Sequence, residues 1–262
     1  MLTAAQREAR KGKLTGSRIK CLMTGAKQDI MNLYLEMIGE RAEDDLSMVW
    51  DVQRGEATET INLNRYEWKK STRLTRRGEV CVHPRHDCFA VTLDGWDENR
   101  MCPVECKDIG GREPFEVVVE RYQPQLHLAM SCTNSIECAL SVIIGGREPV
   151  VEYIDMDFEY GAELLRRGLQ FMDAVRAKRP PVVLPAVPPP VSQWREYNMA
   201  GNDQWRRFAE QWLQTIGAVD ACKEAEKVLK SLVPEDARKC FACGVRITRN
   251  RAGALSLRQD DE

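Results

Sequence analysis

The chain has 262 residues, 43% hydrophobic and 30% charged, enough for one domain of ordinary size with a core, plus an appendage. A net charge of −2 excludes capture of a polyanion by overall charge, so any nucleic-acid site must be a local basic patch. No uncharged apolar run reaches the roughly 18 residues of a membrane-spanning helix, so no membrane association is expected. The polar, basic start shows no apolar signal-peptide region, and the ten cysteines are scattered. Reduced thiols and a cytoplasmic location are therefore expected.

In chain order, the first twenty residues carry Arg7, Arg10, Lys11, Lys13, Arg18 and Lys20 against Glu8 alone. This is either a solvated arm or a phosphate-binding entry segment, because residues 14–17 read as a turn with Ser17 near a helix N-terminus. Residues 26–39 show helical spacing through Ile30, Leu33, Tyr34, Met37 and Ile38. A longer helix follows through Met48, Val52, Glu59, Leu63 and Tyr66, with a break or kink expected near Gly55. Beyond Trp68 the pattern turns to short β segments. One apolar strand covers 89–93, Asp94-Gly95 opens a polar turn, and a second strand ends at 103–107.

Residues 113–130 predict a helix presenting Tyr122, Gln125 and Ala129 on one face. Strands at 139–144 and 150–156 form a hairpin through Gly145-Gly146, and 158–178 is an amphipathic helix. The string Ile-Gly-Gly-Arg-Glu-Pro occurs at 109–114 and 144–149; its unmatched flanks make it a reused turn. Residues 179–191 are proline-rich and read as a linker unable to pack a core, dividing a domain at 1–178 from an extension at 192–262. The extension reads as a helical hairpin, with apolar stripes Trp205–Val219 and Ala225–Leu232, followed by a β-hairpin around 250–253.

Chemistry gathers between Asp94 and Lys107. Strand alternation places Glu105 and Lys107 on one side and Cys106 on the other. If the two strands pair, Asp94 approaches Glu105, and two carboxylates and an ammonium converge. Mg²⁺ takes such oxygen ligands, stabilises charge on a phosphodiester and lowers the pKa of bound water, while the lysine orients or deprotonates that water or offsets charge. The structural alternative is an Asp-Gly turn beside a solvated Glu-x-Lys pair.

Gly55-x-x-x-Glu59, His83-Pro84, Leu93-Asp94-Gly95, Glu105-Cys106-Lys107 and Tyr122-x-x-Gln125 together resemble the phage lambda exonuclease and YqaJ-type viral recombinase family, within the PD-(D/E)xK nucleases. The resemblance spans roughly residues 10 to 178. It implies an α/β fold with a mixed central sheet flanked by helices. It further implies a Mg²⁺-dependent 5′→3′ exonuclease, with Mn²⁺ as substitute, that degrades one strand from double-stranded DNA ends and leaves 3′ tails for recombination. Asp94, Glu105 and the Cys106 carbonyl resemble the metal ligands, and Lys107 the lysine that activates water. Glu59 resembles the upstream acid, and Gln125, with Tyr122 one turn before it, the glutamine that orients the site. Arg10, Ser17, Thr92 and Arg112 fall where the family binds a DNA 5′-phosphate. A homotrimeric ring and a single-strand annealing partner are implied by the same resemblance. Leu93 and Asp108 depart from the pattern, and Asp108 adds an acid that puts metal affinity or number in doubt.

The remaining candidates are weaker. Cys240-x-x-Cys243 lacks a second ligand pair, and Cys81, Cys88, Cys102 and Cys106 do not have iron–sulfur spacing. His83, His86 and His127 read as loop or packing residues. No Walker A motif is present. The alternatives are an endonuclease of the same superfamily and a non-catalytic adaptor that binds DNA ends.

Overall fold

The computed structural model describes residues 3–111, 113–190 and 199–260. The chain divides into two units, Met1–Gln193 and Trp194–Glu262. The first opens with α1 (Ala4–Arg10), α2 (Gly16–Thr24), α3 (Lys27–Met37) and α4 (Trp50–Lys70). Strands β1 (Leu74–Thr75), β2 (Val80–Val82), β3 (Ala90–Thr92), β4 (Gly95–Asp97) and β5 (Cys102–Ile109) follow. Helix α5 (Phe115–Thr133), β6 (Glu137–Ile144), β7 (Val150–Asp155) and α6 (Phe158–Arg176) complete the regular elements.

The main sheet runs β1-β4-β5-β6-β7, with β5 and β6 parallel and the other pairs antiparallel, giving the expected mixed α/β architecture. β6 is apolar and buried over nearly its whole length because helices cover both faces of the sheet. Its Cys138, Leu140 and Val142 meet Val118, Val119, Leu126 and Met130 of α5. On the opposite face, Leu63 and Tyr66 of α4 pack on Cys102, Val104 and Cys106 of β5 and on Ala139. A third cluster joins α2, α3 and α6 to β2, β3 and the far side of α5.

The N-terminal segment is stitched into this core. Leu14 N–H donates to the Cys88 carbonyl at 2.7 Å, and Ala90 N–H to the Leu14 carbonyl at 3.1 Å. The segment therefore continues the edge of β3, and α1 and α2 are fixed on either side of it.

Several elements differ from expectation. The strand at 89–93 pairs with β2, as Thr92 opposite Val80, and not with β5. The partner of β5 is β4, read from sequence as a polar turn, with Gly95 opposite Val104. The reason is Asp97, 1% exposed: Tyr66 Oη donates to it at 2.8 Å, Thr72 Oγ1 at 2.9 Å and Asn99 N–H at 2.9 Å. A satisfied carboxylate is as good an interior residue as Trp96 beside it. No break occurs at Gly55; good helix formers surround it, and a Cβ there would meet nothing within 4 Å. Met48, expected on the core face, is 82% exposed.

The proline-rich stretch, expected to pack no core, lies as an extended strap over the first unit as far as residue 190. Val183 and Val187 cover the third cluster, Val187 N–H donates to the Met23 carbonyl at 2.9 Å, and buried Arg167 donates to the Pro185 carbonyl at 2.7 Å. Gly25, with φ +70°, lets the strap approach, since a Cβ would lie 2.6 Å from Ala186 N. Residue 191 lies outside the described residues.

In the second unit a short 3₁₀ turn (Met199–Gly201) precedes α7 (Asp203–Ser231), followed by β8 (Lys239–Ala242), β9 (Val245–Arg249) and β10 (Leu255–Gln259). The expected helical hairpin is one continuous helix, because residues 219–225 contain no Pro or Gly to turn the chain. The expected β-hairpin is a three-stranded sheet in the order β10-β9-β8.

Gly168 of α6 rests on Phe89, itself fully buried; a Cβ there would lie 2.3 Å from the ring and 3.1 Å from Leu14. Gly168→Ala is expected to destabilise the protein by about 1–3 kcal/mol through overpacking. Urea denaturation checks this, and an unchanged midpoint contradicts it.

Candidate active site

Asp94 lies between β3 and β4, opposite Glu105 in the β4–β5 register. Its Oδ2 accepts from the Cys106 backbone N–H at 2.7 Å. Lys107 Nζ donates to Glu105 Oε1 at 2.5 Å, so Glu105 and Lys107 share a face as strand alternation requires. Cys106 points the other way, into the cluster with Leu63 and Tyr66, and burial pushes its thiol well above the usual range.

Burial first, and the nearby Glu105 second, push Asp94 up to about 8; Lys107 and the Cys106 amide only partly offset this. Burial by itself would lower Lys107, but attraction from Glu105 and Asp94 outweighs it and keeps the side chain an ammonium. Glu59 on α4 is raised by burial. Asn62, one turn later, anchors that helix: its Nδ2 donates to the Ser141 carbonyl at 3.0 Å and its Oδ1 accepts from Ser141 Oγ at 2.6 Å.

Two cavities meet at this cluster, sharing Glu56, Glu59, Asp94, Lys107 and Gln125. The smaller, of about 310 Å³, contains Glu105 as well and extends to Arg10, Ser17 and Thr92. Arg10 Nη1 donates to Thr92 Oγ1 at 3.1 Å, and Ser17 sits in the first turn of α2, whose amide ends face anions favourably. Burial first, and the neighbouring Arg18 second, lower Arg10, with Glu43 and Glu105 pulling the other way. Of the four expected phosphate contacts, three are thus brought together; Arg112 lies outside the described residues.

The larger cavity, about 930 Å³, opens the other way past Arg54, Gly110, Gly111, Arg121 and Tyr122. Asp108 is not an extra acid for a metal: Arg54 Nε donates to it at 2.9 Å and takes up its charge. Tyr122 lies under two cations, Lys107 Nζ at 5.1 Å and Lys20 Nζ at 5.3 Å from the ring centre. Gln125 bridges the cavities, and its Oε1 is buried without a hydrogen-bond partner. It lies against α2, where a Cβ at Gly16 would come within 3.1 Å of its Cγ. Asn62, Arg54 and Gly16 have no signature in a single sequence; Glu56 has one, lying three residues before Glu59 on the same helical face.

The oxygens here that could hold a metal, Asp94, Glu105, the Cys106 carbonyl and Glu59, are all hard donors, and the unpartnered Gln125 Oε1 is a further oxygen lining both cavities. That chemistry fits Mg²⁺, which needs one or two carboxylates and keeps several waters. No cage of three His, Cys, Asp or Glu side chains exists among the described residues. The histidines stay structural: His83 Nδ1 accepts from the amides of Arg85 and His86, and buried His127 Nε2 accepts from Asp157 N–H. All ten cysteines are free.

Residues 7–135, which contain every site residue named above, match the YqaJ-like viral recombinase domain. The domain belongs to that family. This YqaJ-like enzyme is a nuclease of the exonuclease kind. An alkaline exonuclease from Laribacter hongkongensis is similar over 67% of this chain and 94% of its own, with TM-score 0.56 and 20% identity. Its structure in complex with dAMP gives TM-score 0.55 and 21% identity over 67% and 94% of the two chains. The likeness shows that the mixed sheet and its flanking helices form a shared fold. No curated protein matches the chain.

In the metal-free YqaJ-like domain Asp94 keeps its proton until about pH 8, whereas the unfolded chain releases it near the ordinary 3.8. The folded state binds the extra proton between those values, so its stability falls as pH rises through that window. Asp94→Asn has no proton to lose. With chelator present, its melting temperature is expected to match wild type near pH 4 and to exceed it by about 5 °C above pH 8. A difference that does not widen with pH contradicts the protonation assigned to Asp94.

Proposed function

We propose that the chain is a Mg²⁺-dependent 5′→3′ exonuclease that digests one strand of double-stranded DNA from its ends and leaves 3′ single-stranded tails. One observation carries this reading: the acid–lysine cluster sits beside a small cavity ending in Arg10, Thr92 and the first turn of α2. A guanidinium, hydroxyls and helix amides make a receptor for a terminal phosphate, one step from the point of cleavage. An endonuclease has no use for such an end.

Asp94, Glu105 and the Cys106 carbonyl would hold the metal, with Glu59 in support. Mn²⁺ would substitute. The bound ion would supply Lewis acidity to the phosphodiester and activation of water. Lys107, kept as an ammonium by the two carboxylates, orients the nucleophile and offsets charge on the departing phosphate. Tyr122 fixes Lys107 from below, and Gln125 offers a free acceptor to whatever donor enters between the cavities. Enclosure of DNA in a homotrimeric ring, an annealing protein as partner, and action in the cytoplasm of a bacterial host complete the proposal by family likeness. Asp94, Glu105, Lys107, Glu59 and Gln125 are its catalytic set.

The test compares linear duplexes with and without a 5′-phosphate against covalently closed circles, all with Mg²⁺. Linear, phosphorylated DNA should be digested and circles left whole; cutting of circles would mean an endonuclease. Asp94→Ala and Lys107→Ala should each abolish digestion, and retained activity in either rejects the assignment. Arg10→Ala should reduce the preference for a 5′-phosphate by about 10- to 100-fold, the worth of a hydrogen bond to a charged group.

A further inference from the structure

Residues 237–259 hold Arg238, Lys239, Arg246, Arg249, Arg251 and Arg258 and not one carboxylate, in a chain of net charge −2. The β8-β9-β10 sheet sorts these residues by face. Ile247, 5% exposed, and the half-buried Leu255 and Leu257 form the inner side. Arg249 is used structurally, donating to the carbonyls of Ala237, Gly253 and Pro234.

The outer side consists of two rungs. Lys239, Thr248 and Ser256 lie abreast in one, and Phe241, Arg246 and Arg258 in the next. Phe241 is 63% exposed on this face, with Lys239 Nζ 4.7 Å from its ring centre. Arg246 and Arg258 stand directly opposite one another, a like-charge pairing that costs stability unless an anion lies between them. Asp260 pairs with Arg246 at 3.1 Å. Among the described residues no carboxylate pairs with Lys239 or Arg258.

An exposed aromatic ring on a sheet, ringed by cations and hydroxyls, offers a stacking platform and a phosphate track together. Duplex DNA hides its base faces within the stack, so it can use the charges but not the ring. A second copy of the sheet would bring cation against cation. We infer that the outer face of β8-β9-β10 is a second nucleic-acid site, which binds a single strand with a base stacked on Phe241 and phosphates on Lys239 and Arg258. That the strand is the undigested one rests on the exonuclease reading; the binding itself does not.

The experiment uses the full-length protein with EDTA and reads the fluorescence anisotropy of a labelled oligothymidylate of about 20 nucleotides, longer than one such site. A blunt duplex of equal length without 5′-phosphates is the second probe. Phe241→Ala should weaken oligothymidylate binding about tenfold, and Phe241→Trp should restore it. The double variant Lys239→Glu/Arg258→Glu should lower the salt slope by about 1–2. Far-UV circular dichroism and the melting temperature of the full-length protein should be unchanged in all three variants, which reports that they are folded. Unchanged oligothymidylate binding by Phe241→Ala overturns the site, as does duplex binding that falls equally with Phe241→Ala. Because binding is read without hydrolysis, failure of end digestion would sink the exonuclease reading and leave this one standing.

Discussion

Everything in the cleft follows from holding two carboxylates, Asp94 and Glu105, beside one another where water is scarce. Their repulsion and desolvation oppose folding. What offsets it is local: one backbone N–H from Cys106 to Asp94 and one ammonium, Lys107, against Glu105. The compensation is incomplete, which is why Asp94 keeps its proton into the alkaline range. A cluster short of positive charge is suited to receive a cation.

The surrounding fold exists to keep that juxtaposition. β4 is only three residues long, yet it must lie against β5 in register for Asp94 to reach the Cys106 amide. Asp97 holds it there through Tyr66 and Thr72. Asn62 fixes α4 to β6 so that Glu59 approaches from one side, while α5 brings Gln125 and Tyr122 from the other. Stitching Leu14 beside β3 brings Arg10 to Thr92 and sets the start of α2 at the cavity wall. The acid–lysine cluster and the Arg10–Thr92 cavity thus come from separate parts of the chain joined by backbone hydrogen bonds.

The second unit carries a different chemistry. Under the activity proposed above, the undigested strand has exposed base faces and a dense line of phosphates. The overall charge of −2 gives no means of holding it, whereas the outer face of the small sheet combines an exposed ring with Lys239 and Arg258, with which no carboxylate among the described residues pairs. Covalent attachment to the nuclease raises the effective concentration of such a site around the strand being made.

By itself the sequence determined the helices at α3, α5 and α6, the β6–β7 hairpin, and the side shared by Glu105 and Lys107. Each rests on a periodicity that is local and survives any tertiary setting. The family was legible too, since five short motifs in order carry it. Tertiary structure alone decided the pairing of β4 with β5, the strap formed by the proline-rich stretch, the capture of Asp108 by Arg54, and the third strand of the terminal sheet. In each of these a polar or proline-rich segment, read locally as a turn, linker or spare acid, is satisfied by a partner distant in the chain. Local pattern reports what a residue prefers; only the fold supplies the donor, acceptor or apolar surface that overrides the preference.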